Sequence, residues 1–308
     1  MLRFASFSPG ALVALAIFPG CVGFAVDCDL GSCEPEIQHI AERYALGSRT
    51  RIRVLGHGPW TIESNDRSVV RIDAIDRDDV DDGDVTLSFV GVGRATLAIE
   101  NELATVERTI EVLPHDRFDV VLAEITGAAL GPIADQVLLA GRQWILVLYL
   151  DAQGRALYGE GLAKLNLSRG VRRCDEVLGA VERHCLWIEN PGAHVLEVEV
   201  GDERVSLPFQ AVLASDVIDV ELLAAEEREL QPRTWVQVDL VGITRDGMRV
   251  RGMHPRFEVG EGSYVGYFAY QYDPSARPLT LLATTLGLPR RIIFRGLPRQ
   301  KVKPVKLR

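Results

Sequence analysis

From residue 50 onward, apolar and polar residues alternate in short runs: Val85-Thr-Leu-Ser-Phe89, Thr96-Leu-Ala-Ile99, Thr109-Ile-Glu-Val112, Val195-Leu-Glu-Val-Glu-Val200 and Trp235-Val-Gln-Val-Asp-Leu240. Side chains of a strand project alternately to its two faces, so this period buries one face and wets the other. Gly, Asp and Pro turns separate the runs, which predicts antiparallel sheets packed face to face in an all-β chain. Helical periodicity is scarce. Glu34–Leu46, with Ile37, Ile40, Ala41 and Tyr44 on one face and Gly47 as a stop, is the main candidate, and Leu222–Leu230 is a second.

The chain also repeats itself. Trp144-Ile-Leu-Val-Leu runs through Asp151-Ala-Gln-Gly154 to Gly161, and Trp235-Val-Gln-Val runs through Arg245-Asp-Gly247 to Gly252. Trp and Gly are 17 residues apart in both copies, and the copies are 91 residues apart. Asn190-Pro-Gly-Ala-His194 and Asp273-Pro-Ser-Ala-Arg277 continue the echo, each ahead of a strand. A repeat of this length is too long for a solenoid unit and approaches the ~100 residues of one immunoglobulin-type sandwich, so each copy is expected to be a domain.

Three segments of the first module carry a family resemblance: Leu46-Gly-Ser-Arg-Thr-Arg-Ile-Arg-Val54, then Trp60-Thr-Ile-Glu-Ser-Asn-Asp-Arg-Ser-Val-Val-Arg-Ile72, then Gly91-Val-Gly-Arg-Ala-Thr-Leu97. They resemble successive strands of a bacterial Ig-like domain of the second Big group over residues 44–112. The resemblance implies a strand, not a helix, for the second half of Glu34–Leu46. The Asp151 turn with Leu157-Tyr158-Gly159 is similar to one in invasin-like Ig domains. The expected organisation is a signal segment at 1–20, an anchor or linker at 21–43, Ig-like sandwiches at 44–114, 115–214 and 215–298, and a basic tail at 299–308.

The N-terminus fits export. Met1-Leu2-Arg3 supplies a positive start and Gly10–Phe18 an apolar stretch, the pattern of a secretory signal. Two exits follow. Phe18-Pro19-Gly20-Cys21 resembles a bacterial lipobox, which implies cleavage before Cys21 and a diacylglycerol on its thiol. Phe18 and Pro19 depart from the family's Leu and small residue, and Gly23-Phe24-Ala25 offers an ordinary cleavage site before Val26. Either route leaves Cys28, Cys33, Cys174 and Cys185, an even set that favours disulfides in an exported chain. The simplest of the three connectivities joins Cys28 with Cys33 and Cys174 with Cys185.

Charge narrows the partners. Residues 290–308 carry +8 in a chain of net charge −9, so the rest carries −17 and nucleic acid is not an expected partner. The tail reads as a last strand and a solvated basic end. Seven Asp fall within Asp73–Asp84, and calcium at Asp76, Asp78, Asp79, Asp81, Asp82 and Asp84 competes with a solvated acidic hairpin. With Asp78 first, Val80 takes the third ligand position and no Glu closes an EF-hand loop. Cys174, His184, Cys185 and His194 include zinc-ligand types at a spacing that matches no regular zinc loop.

No Gly-x-Ser-x-Gly elbow, His-Glu-x-x-His helix or phosphate loop occurs. Trp144 and Trp235 recur at equivalent repeat positions and are read as core; Trp60 and Trp187 are open between core and a sugar-stacking surface. Phe268, Tyr270 and Tyr272 share one strand face, core or binding surface, beside Tyr264 and Tyr267. The reading is a non-catalytic, exported envelope or surface lipoprotein acting in adhesion, binding or spacing, with no cofactor. Its expected partners are an envelope or surface protein or polysaccharide, and a membrane through the lipid anchor. A calcium-dependent adhesin and an accessory chain of an envelope hydrolase are the alternatives.

Overall fold

The computed structural model describes residues 35–56, 59–78, 82–123, 129–174, 181–222, 227–230, 235–238, 240–254, 256–259, 262–265, 268–271 and 279–296. They are β-strands, turns and one turn of 3-10 helix, Ala214–Asp216. No helix among them is long and apolar enough to cross a membrane.

The first sandwich uses β1 (Glu36–Gln38), β2 (Arg43–Ala45), β3 (Arg49–Leu55), β4 (Trp60–Ser64), β5 (Val70–Arg77), β6 (Asp82–Phe89), β7 (Gly93–Asn101) and β8 (Thr105–Leu113). Two sheets result, ordered β1-β3-β6-β5 and β2-β8-β7-β4, with β2 parallel to β8 and the other pairs antiparallel. That is the A-B-E-D and A′-G-F-C order of an immunoglobulin sandwich. The alternating residues meet between the sheets: Ile52, Val54, Val85 and Leu87 from one, Trp60, Ile62, Leu97, Ile99 and Ile110 from the other. Tyr44 stacks on Phe89 at 3.9 Å between ring centres.

The expected helix over Glu34–Leu46 does not form. β1 pairs with β3 in one sheet, His39 turns the chain at φ 63°, and β2 joins β8 in the other. Ile37, Ile40, Ala41 and Tyr44 reach the core from this extended path, so main-chain pairing with two sheets overrides a one-sided apolar spacing that a short helix shares. The helix expected over Leu222–Leu230 is also replaced by strand at its described ends.

The second sandwich contains β9 (Arg117–Ala123), β10 (Ala129–Pro132), β11 (Val137–Leu139), β12 (Gly141–Leu150), β13 (Ala156–Leu157), β14 (Ala163–Leu167), β15 (Val171–Arg173), β16 (Glu182–Ile188), β17 (Gly192–Val200) and β18 (Glu203–Val212). The third contains β19 (Val217–Leu222), β20 (Glu227–Leu230), β21 (Trp235–Val238), β22 (Leu240–Thr244), β23 (Arg249–Arg251), β24 (Arg256–Val259), β25 (Gly262–Val265), β26 (Phe268–Gln271), β27 (Leu279–Thr285) and β28 (Leu288–Gly296). The order β9-β12-β16-β15 repeats A-B-E-D, and β14-β17-β18-β11 repeats C-F-G-A′ with β11 parallel to β18. The third sandwich again sets its A′ strand, β20, parallel to its last strand, β28.

Successive sandwiches share main-chain hydrogen bonds. Tyr158 bridges Tyr44 in parallel: the Ala45 N–H donates to the Tyr158 carbonyl at 2.9 Å and the Tyr158 N–H to Arg43 at 3.0 Å. At the next junction β23 lies parallel to β11, pairing Val137 with Val250 and Leu138 with Arg251. In both cases a segment that follows the B strand of one module, β12 in the second and β21–β22 in the third, extends the A′ edge of the module before it. The seven-stranded sheet β14-β17-β18-β11-β23-β22-β19 therefore runs through two modules.

Side chains seal each seam. Leu139, Val212, Val217, Val220, Val250 and Met253 form one cluster across the second junction. Gln143, 1% exposed, donates from Nε2 to the Leu139 carbonyl at 2.8 Å and the Gly252 carbonyl at 3.2 Å. At the first junction Tyr158 meets Tyr44 edge to face at 6.3 Å.

Candidate functional site

The run Trp144-Ile-Leu-Val-Leu-Tyr-Leu150 lacks alternation because β12 is covered on both sides. Ile145, Val147 and Tyr149 face the other sheet. Trp144 and Leu146 point outward, where they cluster with Ala123 and Cys185 and with the half-buried Val121, Leu148, Cys174 and Val181. Trp144 is thus buried, but in a satellite core on the outer face and not between the sheets. A disulfide joins Cys174 to Cys185 at the edge of this patch, with Sγ atoms 2.12 Å and Cα atoms 5.0 Å apart.

Arginines interleave with the tryptophans of this face. The Arg183 guanidinium lies over the Trp144 ring at 4.7 Å, and Arg172 lies over Trp187 at 5.4 Å. Register places Arg142 of β12 and Arg172 of β15 opposite Trp187 from either side. Trp187 is 36% exposed, whereas Trp60 is buried in the first core beneath Arg77 at 4.3 Å. Arg172 also pairs with Glu189 at 3.0 Å. The result is an exposed Arg–Trp–Arg row at the open end of an otherwise buried apolar patch.

A second constellation is closed. Glu182, 2% exposed, accepts hydrogen bonds from the Tyr149 hydroxyl, the Leu162 N–H at 3.0 Å and the Ala163 N–H at 3.1 Å, and contacts His184 Nε2 at 3.1 Å. Burial pushes its carboxyl upward, but the bonds from His184 and Tyr149 outweigh this and hold it below the usual range. Burial, then the Glu182 charge, pushes the Tyr149 hydroxyl up. Burial followed by the same charge raises Glu160, against the pull of Arg49, Arg51 and His184. With its lone pairs engaged by four donors, Glu182 acts as a structural acceptor that fixes the start of β14, not as a base facing a substrate.

The acidic hairpin carries its own cation. Arg53 of β3 approaches Asp78 at 2.5 Å, Asp84 at 3.4 Å and Asp82 at 3.9 Å. Asp82 also accepts from the Gly56 N–H at 3.3 Å. Asp76 lies on β5 opposite Asp84, and Asp79 and Asp81 lie outside the described residues. No group of three or more His, Cys, Asp or Glu among the described residues is arranged to hold a metal ion. His194 packs on Phe209 and bonds the Asn190 carbonyl at 2.9 Å, so the four zinc-ligand residue types have separate partners.

Cys21, Cys28, Cys33, the signal segment and the basic tail lie outside the described residues, as do the side chain of Trp235 and residues Tyr267 and Tyr272. Tyr264 falls on β25, and Phe268 and Tyr270 on β26. Sequence patterning did not reveal the junctions or the Glu182 network, whose members are far apart in the chain. The Trp-to-Gly repeat was the available signal for the second junction, since Gly252 closes it.

No protein-family profile matches the chain, and no curated protein sequence does. Solved structures similar to it include domains 5–6 of the S-layer protein SbsC, at 13% identity over 57% of this chain and 96% of that one, with a TM-score of 0.28. The Escherichia coli adhesin FdeC is 12% identical over 86% of this chain and 96% of its own, with a TM-score of 0.23. A longer SbsC structure is 11% identical over 89% of this chain and 41% of its own, with a TM-score of 0.33. The Ig-like assignment rests on the strand order of this chain's own sheets.

Proposed function

We propose that this chain is a non-catalytic array of Ig-like modules of the cell envelope or surface, exported by its N-terminal segment and anchored through a lipid on Cys21. It holds a binding face at a set distance and orientation from the membrane. The observation that carries this reading is the repeated junction at the A′ edge of the preceding module, a parallel bridge between Tyr44 and Tyr158 at the first and parallel β11–β23 pairing at the second. Modules joined only by linkers turn freely; shared main-chain bonds and a sealed apolar seam oppose that motion.

Membrane fractionation with metabolic lipid labelling, on the native chain and on Cys21→Ala, tests the placement. Label on the native protein and its loss, together with release from the membrane, in the variant are expected. A native chain that stays cytosolic overturns the reading; an exported but unlabelled one overturns the anchor.

A further inference from the structure

The Arg–Trp–Arg row on the second sandwich has a chemistry that the spacer role does not use. Trp60 and Trp144 are buried to 1% exposure, whereas Trp187 keeps 36% of its surface in solvent on the outer sheet face. Its neighbours in register are Arg142 and Arg172, both exposed. Three strands separate the outer members of the row by two strand spacings, about 10 Å. In a chain whose net charge is −9, this face gathers Arg142, Arg172 and Arg183 around two indoles, and Glu189 pairs with Arg172.

We infer that this row is a binding site for an acidic polysaccharide, a polymer of sugars bearing carboxylates. The Trp187 ring, covered on one face by Arg172, offers the indole surface it leaves in solvent to the C–H face of a pyranose ring. A guanidinium on either side meets carboxylates through paired N–H donors, a geometry that a lysine does not reproduce. Arg172 is pre-positioned by its stacking on Trp187. Its pair with Glu189 is solvent-exposed, at 59% and 48%, and exposed pairs contribute little, so a polymer carboxylate can replace it. The disulfide braces the platform: Cys174 follows β15, Cys185 lies on β16, and the bond ties the two strands beside the row. Because the face belongs to a sheet and not to a loop, the ligand meets it without reordering the chain.

The inference deepens the proposed envelope role by naming a ligand class, and its test does not depend on export. Full-length protein is passed over immobilised polygalacturonate and over the same polymer fully methyl-esterified, which removes the charge and keeps the sugar. Saturable binding to the acid form alone is expected, weakening with salt. Trp187→Ala and the pair Arg142→Gln/Arg172→Gln should each weaken it at least tenfold, and Trp187→Phe should restore most of it. Unchanged thermal melting of each variant excludes misfolding. Absence of binding, or equal binding by native protein and Trp187→Ala, overturns the site; the latter result assigns the affinity to the basic tail. Lipid labelling of Cys21 is unaffected by either outcome, so the two readings fail separately.

Discussion

Arg49 of the first sandwich and Glu160 of the second exchange two main-chain hydrogen bonds, Arg49 N–H to the Glu160 carbonyl at 2.9 Å and Glu160 N–H to the Arg49 carbonyl at 2.7 Å. Two modules therefore meet as neighbouring strands do, through backbone groups that water would otherwise satisfy.

The junction leaves no space beside Gly159. Its φ is +112°, and an added Cβ would lie 2.0 Å from Ser48 Oγ. Gly159→Val is expected to open the first junction, at about 1–3 kcal/mol from backbone strain alone, and to broaden the distance distribution in small-angle scattering. Gly252→Ala should act likewise at the second junction, because its Cβ would meet Gln143 Oε1 at 1.9 Å. An unchanged scattering profile in either variant would count against rigid coupling.

The Glu182 and Glu160 carboxyls respond oppositely to pH. The folded pKa of Glu182 is lowered, so its contribution is present above the unfolded value of about 4.3 and is lost as pH falls through the folded value. The folded pKa of Glu160 is raised, so its favourable contribution is present below about 4.3 and is lost as pH rises through the folded value. Glu182→Gln should therefore destabilise the protein by about 1–3 kcal/mol at pH 7, with the difference shrinking in strong acid. Glu160→Gln should raise the melting temperature at pH 7 and leave it unchanged near pH 3. Calorimetric melts across pH 3–7 check both signs.

Arg53 offsets part of the charge of the acidic hairpin. Arg53→Ala removes three ion pairs, each partly exposed and contributing about 0.2–1 kcal/mol, and leaves the carboxylates to repel one another. The variant should melt earlier at low salt and gain a calcium-dependent rise in melting temperature. If instead the native protein shows the larger calcium response, the guanidinium is not the hairpin's counter-ion.

The Cys174–Cys185 bond closes a short loop at the edge of the Trp144 patch. Reduction, or the double change to Ala, should destabilise the second sandwich by about 2–3 kcal/mol. Trp144 emission should shift to the red, with the change absent from a Trp144→Phe background. A shift that persists in that background would place the loosened region elsewhere.

Alternation in segments such as Val85–Phe89 and Val195–Val200 specified strands and their buried faces directly, because side-chain direction in a strand depends only on parity. The Trp-to-Gly repeat likewise marked a recurring module. Local pattern misread Glu34–Leu46, since the one-sided spacing of Ile37, Ile40 and Tyr44 suits a helix as well as two short strands that serve different sheets. It read Trp144 as core without saying which core, because a continuous apolar run states that both faces are covered without stating by what, and the ring is buried in the outer patch.

What the sequence by itself determined was an all-β chain of repeated modules, since strand parity and turn residues act over a few positions. Only the tertiary structure decided which edge receives the next module, that Arg53 occupies the acidic hairpin, that Glu182 is closed by four donors, and that Arg142, Trp187 and Arg172 form one row. Each depends on strand register between segments far apart in the chain, and register is set by main-chain pairing and by the fit of whole faces, which no short run of residues contains.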